Sequence, residues 1–208
     1  MSTPPVAACG IVLAAGASTR MGRPKPLLMV GGETFLRRAT GTLRAGGCGE
    51  VVAVLAAGPA AGPDAGACVT EVEASGARSV TNRTGSQQID SLRLGLEALD
   101  RGCGAAVVLP VDHPLVRPDT IAALIHRWRS GDEGGAAIVR PVHQGRPGHP
   151  TLFPRTTWPD LMRPQPRGAR SVVEGGTHPV ADVAVADDGV TADIDTPDAY
   201  ARWIQVES

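Results

Sequence analysis

Aromatic side chains are scarce in this chain of 208 residues, which carries three Trp, two Phe and one Tyr. A surface that binds bases by stacking them on rings is therefore not expected. Charge of one sign is also missing. With 20 Lys and Arg against 21 Asp and Glu the net charge is −1, so the clustered basic footprint of a nucleic-acid binder is absent. Any partner is expected to be small. Cys9, Cys48, Cys68 and Cys103 stand singly, without a C-x-x-C. That excludes a zinc knot or a disulfide framework and leaves reduced, packed thiols as the expectation. No apolar stretch reaches the roughly 18 residues of a membrane span. The start Met-Ser-Thr-Pro-Pro has neither the charged beginning nor the apolar middle of a signal peptide. A cytoplasmic protein without a membrane partner is expected. No internal repeat is evident.

What is present is a 42% apolar composition, enough for one full core, and residues 1–208 are read as a single domain. Short apolar runs alternate with helical patterns. Strands are expected near Ala7 to Leu13, Val51 to Leu55, Ala105 to Leu109 and Ala136 to Val139. Helices are expected near Thr34 to Ala45, Ser91 to Leu99 and Pro118 to Trp128. This alternation predicts an α/β protein, a three-layer α/β/α sandwich with a Rossmann-like, mostly parallel sheet, whose ligands gather where the strands end. Gly58 to Ala67, rich in Gly, Ala and Pro, reads as a surface loop. Arg163 to Arg170 reads as a second one, placed to close over an acceptor.

The richest segment runs from Ile11 to Leu28, IVLAAGASTRMGRPKPLL. A buried strand gives way to a loop in which Gly16 and Gly22 allow sharp turns and close approach to a ligand. Exposed backbone amides in such a loop form an anion-binding hollow. Arg20 can grip phosphate oxygens with two parallel bonds and Lys25 adds a point charge. Two commoner glycine loops do not fit. Five residues separate Gly16 from Gly22, and Arg23-Pro24 stand where a Walker loop needs Lys-Ser or Lys-Thr; G-x-G-x-x-G is missing too.

Asp112 follows the strand Ala105 to Leu109 between Pro110 and Pro114, which puts it at the ligand edge. One or two carboxylates plus substrate phosphates suffice to hold Mg²⁺. The competing job, capping the helix near Pro118, suits Asp119 better. In Asp193-Ile194-Asp195, alternation along a strand end would let only one carboxylate face the site. Asp195-Thr196-Pro197 looks like a helix start with Asp195 or Thr196 as its cap, so Asp193 is favoured as the one facing the site. His149, between Gly148 and Pro150, fits either an acceptor contact or a turn histidine satisfied by backbone. His126, on a helix beside Trp128, reads as surface. Ser91 could cap a helix.

The stretch L-A-A-G-x-S-x-R-M-G-x-x-K-x-L-L, complete from Leu13 to Leu28, resembles the nucleotidyltransferases that activate cofactors and sugars. Within them it is most similar to the MobA/MocA-like group, and there to the molybdenum cofactor cytidylyltransferases. Four more stretches carry the resemblance along most of the chain. They are Gln88-x-x-Ser91-Leu92-Arg93-x-Gly95-Leu96, Leu109-Pro110-Val111-Asp112-His113-Pro114, Gly148-His149-Pro150-x-Leu152-Phe153, and Asp193-Ile194-Asp195-Thr196-Pro197-Asp198.

The resemblance implies the nucleotide-diphospho-sugar transferase type of fold. It implies nucleotide binding by Leu13, Ala14, Ala15, Gly16, Arg20, Lys25, Gln88 and Ser91, and catalysis by Arg20, Lys25 and Asp112. Mg²⁺ would sit on Asp112 and Asp193, and the acceptor on Gly148 and His149. Ala15, where the guanylyltransferase branch has a second glycine, leans the nucleotide toward CTP. Two departures touch the base segment: Asn82-Arg83-Thr84 replaces the usual Asn-Pro-aromatic, and Gln87 replaces the glycine before Gln88.

The implied reaction is attack of an acceptor phosphate on the α-phosphorus of a nucleoside triphosphate, with pyrophosphate leaving and no protein nucleophile. The implied acceptor is a small phosphorylated cofactor such as molybdopterin, with a cofactor-receiving enzyme as a partner. A guanylyltransferase, a sugar-phosphate nucleotidyltransferase and a non-catalytic nucleotide-binding accessory protein are the alternatives. An acceptor rich in phosphate or carboxylate would suit Arg146, Arg167 and Arg170, which are equally ordinary solvated loop residues.

Overall fold

The computed structural model describes residues 7–16, 21, 24–57, 64–83, 87–131 and 134–204. In chain order these form β1 (Ala7–Ala14), β2 (Met29–Val30), β3 (Glu33–Thr34), α1 (Phe35–Ala45), β4 (Val51–Ala56), α2 (Ala65–Ala74), β5 (Arg78–Asn82), α3 (Gln88–Ala98), β6 (Cys103–Pro110) and α4 (Pro118–Ser130). There follow β7 (Ile138–His143), β8 (Arg146–Pro147), β9 (Thr151–Pro154), α5 (Trp158–Leu161), α6 (Ala169–Glu174), β10 (Val180–Ala184) and α7 (Pro197–Ile204).

The main sheet runs β10-β7-β9-β6-β1-β4-β5, with β8 paired to β7. Its left half as written is mixed and its right half parallel. β1 pairs in parallel with β4 and β6, β4 with β5, and β10 with β7, whereas β9 is antiparallel to both β6 and β7. The chain leaves β1 toward β4 and β5, then crosses back to lay β6 on the other side of β1. The crevice at the C-terminal ends of β1 and β6 is thus the switch point at which α/β sheets bind ligands.

Alternation along β1 divides the core into two layers. Ala8, Val12 and Ala14 face α1, α2 and α4 through Leu36, Leu43, Val72, Ile121 and Leu124. Cys9, Ile11 and Leu13 face α3, α5 and α6 through Leu92, Leu96, Trp158, Leu161 and Val172. The expected three-layer sandwich is formed. All four cysteines are buried and unbridged. Among the described residues no helix is long and apolar enough to cross a membrane.

Local chemistry accounts for several boundaries. The Thr34 hydroxyl accepts from the Arg37 amide at 3.2 Å and so caps α1. Gln144 and Gly145, with φ of 48° and 76°, make the two-residue turn joining β7 to β8, since positive φ at both positions matches the twist of a hairpin. Two expectations shift. Gly58 to Ala67 is not all loop, because Ala65–Ala67 opens α2, while positions 58–63 lie outside the described residues. Ser91 does not open a helix, because α3 begins at Gln88. His126 is exposed, as expected.

Candidate active site

The switch-point crevice is built from the ends of β1 and β6 and a C-terminal segment laid across them. Leu13 and Ala14 end β1 buried, Ala15 is half-buried and Gly16 exposed. Among the described residues no atom lies within 4 Å of where a Gly16 Cβ would stand. Packing therefore does not explain this glycine, whereas close approach of a ligand to the backbone would. The Val111 amide donates to Leu13 O at 3.0 Å, tying the loop after β6 to the end of β1. Asp112 comes next, and its own carbonyl accepts from the Ile194 amide at 2.9 Å.

That last bond brings the C-terminal acids to the site. Carboxylate oxygens of Asp112, Asp193 and Asp195 all lie within 4.8 Å of one another. Asp193 and Asp195 thus both lie beside Asp112, and strand alternation does not separate them. The reason is local, since residues 192–195 are irregular rather than a strand, so alternation of faces does not apply. The helix start at Asp195-Thr196-Pro197 is capped by Thr196, whose hydroxyl accepts from the Ala199 amide at 3.2 Å.

Three like charges this close repel one another, and a cation stands beside them. Lys25, first residue of a 3₁₀ turn, hydrogen-bonds Asp195 Oδ1 and lies 3.5 Å from Asp112 Oδ2. Among the described residues Asp112 Oδ1 is buried without a hydrogen-bond partner. A hard divalent cation fits this set, because it prefers several carboxylate oxygens and would satisfy the orphaned one. Arg20 and Gly22, expected beside Lys25, lie outside the described residues.

Next to Asp112 stand two histidines. His113 Nε2 is 3.9 Å from Asp112 Oδ1, and the His113 and His149 rings are 4.8 Å apart at 54°. Among the described residues both Nδ1 atoms are buried without a hydrogen-bond partner. No described backbone satisfies His149 Nδ1, although the His149 amide donates to Val190 O at 2.8 Å. Burial, aided by the neighbouring His113, lowers the His149 pKa to about 4, against a smaller opposite pull from Asp112. Gly148 is required by packing, because a Cβ there would stand 2.2 Å from Val190 O.

On the other side of β1, Asn82 ends β5 and its amide donates to Ser91 Oγ at 2.9 Å, both residues being buried. Ser91 therefore does not cap α3. Gln88 is exposed at the start of that helix. The arginines of the second loop are committed to neighbours. Arg167 and Arg170 both pair with Glu174, Arg163 pairs with Asp160, and Arg93 holds the loop by donating to Leu161 O and Arg163 O. Sequence reasoning favoured Asp193 over Asp195 and gave His113 and Asn82 no role. Asp195 was legible as the second acid of Asp-Ile-Asp, but His113 and Asn82 carried no signal beyond their motif neighbours.

The fold superposes on CMP:2-keto-3-deoxy-manno-octonic acid synthetase complexed with CTP, with a TM-score of 0.71 at 17% identity over 96% of this chain and 98% of that one. Residues 10–182 match the MobA-like NTP transferase domain, and the chain belongs to that family of nucleotidyltransferases. Rv0371c from Mycobacterium tuberculosis H37Rv is similar in structure, with a TM-score of 0.81 and 29% identity over 96% of this chain and 98% of that one. The same protein is known in complex with manganese, with a TM-score of 0.75 and 27% identity over the same shares. In sequence the chain is 30% identical to nicotine blue oxidoreductase of Paenarthrobacter nicotinovorans over 94% of this chain and 95% of that protein.

Proposed function

We propose that this nucleotidyltransferase transfers CMP from CTP to a phosphorylated cofactor such as molybdopterin, releasing pyrophosphate, with Mg²⁺ as its metal. The observation that carries the reading is the convergence of Asp112, Asp193 and Asp195 beside the Leu13–Gly16 turn. These acids would hold the metal, which when bound neutralises phosphate charge. Ala14, Ala15 and Gly16 offer backbone to the triphosphate, while Arg20 and Lys25 stabilise the charge of the departing pyrophosphate. An acceptor phosphate is anionic at neutral pH, so alignment rather than a protein base sets the rate.

Gln88 and Ser91 read the base, with Asn82 fixing the Ser91 hydroxyl. His149, on the turn made by Gly148, and its neighbour His113 offer the acceptor two buried ring nitrogens that have no hydrogen-bond partner among the described residues. His149 stays uncharged at neutral pH, which suits an uncharged polar part of the acceptor rather than its phosphate. A partner enzyme would receive the finished cofactor.

The test is pyrophosphate release with CTP, GTP, ATP or UTP, each with Mg²⁺ and molybdopterin, against Asp112→Ala. CTP-dependent release should fall at least 100-fold in the variant. Preference for GTP would overturn the CTP assignment and leave the chemistry. The relative named an oxidoreductase favours a second reading, a redox reaction on a small molecule. That reaction would proceed without nucleoside triphosphate and without pyrophosphate.

A further inference from the structure

The N-terminus of α4 has no cap of its own. Arg117 makes no side-chain cap bond, Pro118 lacks an amide hydrogen, and Asp119 is exposed in the first turn. The job expected of Asp119 is done by Asp187, about 70 residues away and only 2% exposed. Asp187 Oδ2 accepts from the Arg117 amide at 2.9 Å and from the Thr120 hydroxyl at 2.5 Å. Oδ1 accepts from the Gly189 amide at 3.1 Å and lies 3.5 Å from Arg117 Nε. The Arg117 guanidinium also donates to Ala186 O. One buried carboxylate thus joins two backbone segments, each of which carries part of the acidic cluster.

The first segment runs back from α4 through Val116 and Leu115 to Asp112. The second runs forward through the 3₁₀ turn Asp188–Thr191 to Asp193 and Asp195. Their backbones touch directly, since a Cβ on Gly189 would stand 2.4 Å from Leu115 C and O. They meet again at the Ile194 to Asp112 hydrogen bond. Beyond these contacts the crossing is held by Val190 O, which accepts from His149. Three carboxylates within 4.8 Å push apart, so the segment bearing two of them has to be fastened to the segment bearing the third.

We propose that Asp187 is the positioning residue that keeps Asp193 and Asp195 in register with Asp112, and through that register sets the affinity of the cluster for a divalent cation. The affinity part rests on the metal reading of the site given above. Outer partners that orient ligating groups typically change metal affinity by about 10–100-fold when removed, and Asp187 acts in that way through the backbone.

The experiment compares the full chain with Asp187→Asn, with Thr120→Val, which removes one of the contacts, and with Thr157→Val. The last removes a buried hydroxyl bond to Pro154 O at the opposite end of the sheet. Mn²⁺ binding is followed by electron paramagnetic resonance, and exchange of the Ile194 amide by NMR. Asp187→Asn should weaken Mn²⁺ binding about 10–100-fold and speed Ile194 exchange while β1 and β6 amides keep their protection. Thr120→Val should move both in the same direction by less, and Thr157→Val should move neither. Unchanged Ile194 exchange in Asp187→Asn overturns the proposal. So does an equal effect in Thr157→Val, which would reveal general destabilisation. Absence of Mn²⁺ binding by the unaltered chain would remove the metal reading and the affinity part with it, and the Ile194 amide would then decide the positioning role alone.

Discussion

Replacing Gly148 by Ala sets a steric demand against the architecture of the site. The added methyl would stand 2.2 Å from Val190 O and 2.7 Å from Val190 C, both backbone atoms, so no side-chain rotation relieves the contact. Val190 is fully buried and its carbonyl is already bonded to His149. Either the β8–β9 connection or the turn leading to Asp193 has to move. Overfilling a packed interior costs about 1–3 kcal/mol, and a clash against backbone belongs at the upper end, about 3 kcal/mol. For a chain of this size each kcal/mol shifts the melting temperature by roughly 2–4 °C, so a fall of about 6–12 °C is expected by calorimetry. Mn²⁺ binding should weaken in parallel, because the displaced turn carries two of the three carboxylates. A melting temperature within about 2 °C of the unaltered chain would refute the claim that packing requires this glycine.

Three further outcomes are expected. Gly41 is an exposed position inside α1 with open space around a would-be Cβ, so Gly41→Ala should stabilise by about 0.5–1 kcal/mol in urea titrations. His149 is lowered from 6.5 to about 4, so the unfolded chain takes up its proton first as pH falls. Its contribution is therefore present above about pH 6.5 and lost progressively down to about pH 4, at most about 3 kcal/mol. His149→Asn should flatten that dependence, and parallel curves would disprove it. All four thiols are buried and burial pushes Cys48 up to about 12, so a disulfide reagent at pH 8 should label none in the native protein and all four in denaturant.

The parts of the fold legible in the chain are those in which one element buries an uninterrupted apolar run. β1, β4 and β6, central and covered on both faces, were read within a few residues of their bounds. β5, β9 and β10 were not identified. β5 and β10 are half-exposed strands at the ends of the sheet, and β9 has only four residues, so their apolar signal is short or broken. α2 was hidden because Gly, Ala and Pro precede it, and α6 because its first two residues fall in the Arg163 to Arg170 stretch read as loop. At the site, Asp112 was legible because a buried strand ending between prolines has few places to go. Asp193 was favoured over Asp195 by a rule for strands, which does not apply to the irregular segment 192–195.

Taken alone, the amino-acid order determined the layered α/β plan, the ligand-facing end of the sheet and the acid and cation types available there. Those follow from local periodicity and from residue chemistry that neighbours along the chain define. Tertiary structure decided which groups meet. Lys25 with Asp195, Asp112 with Ile194, His113 with His149 and Asp187 with Thr120 are each separated by about 36–170 positions. Their encounters depend on the crossover that lays β6 beside β1 and on the close backbone contacts at Gly148 and Gly189. No pattern within a single element encodes such long-range packing.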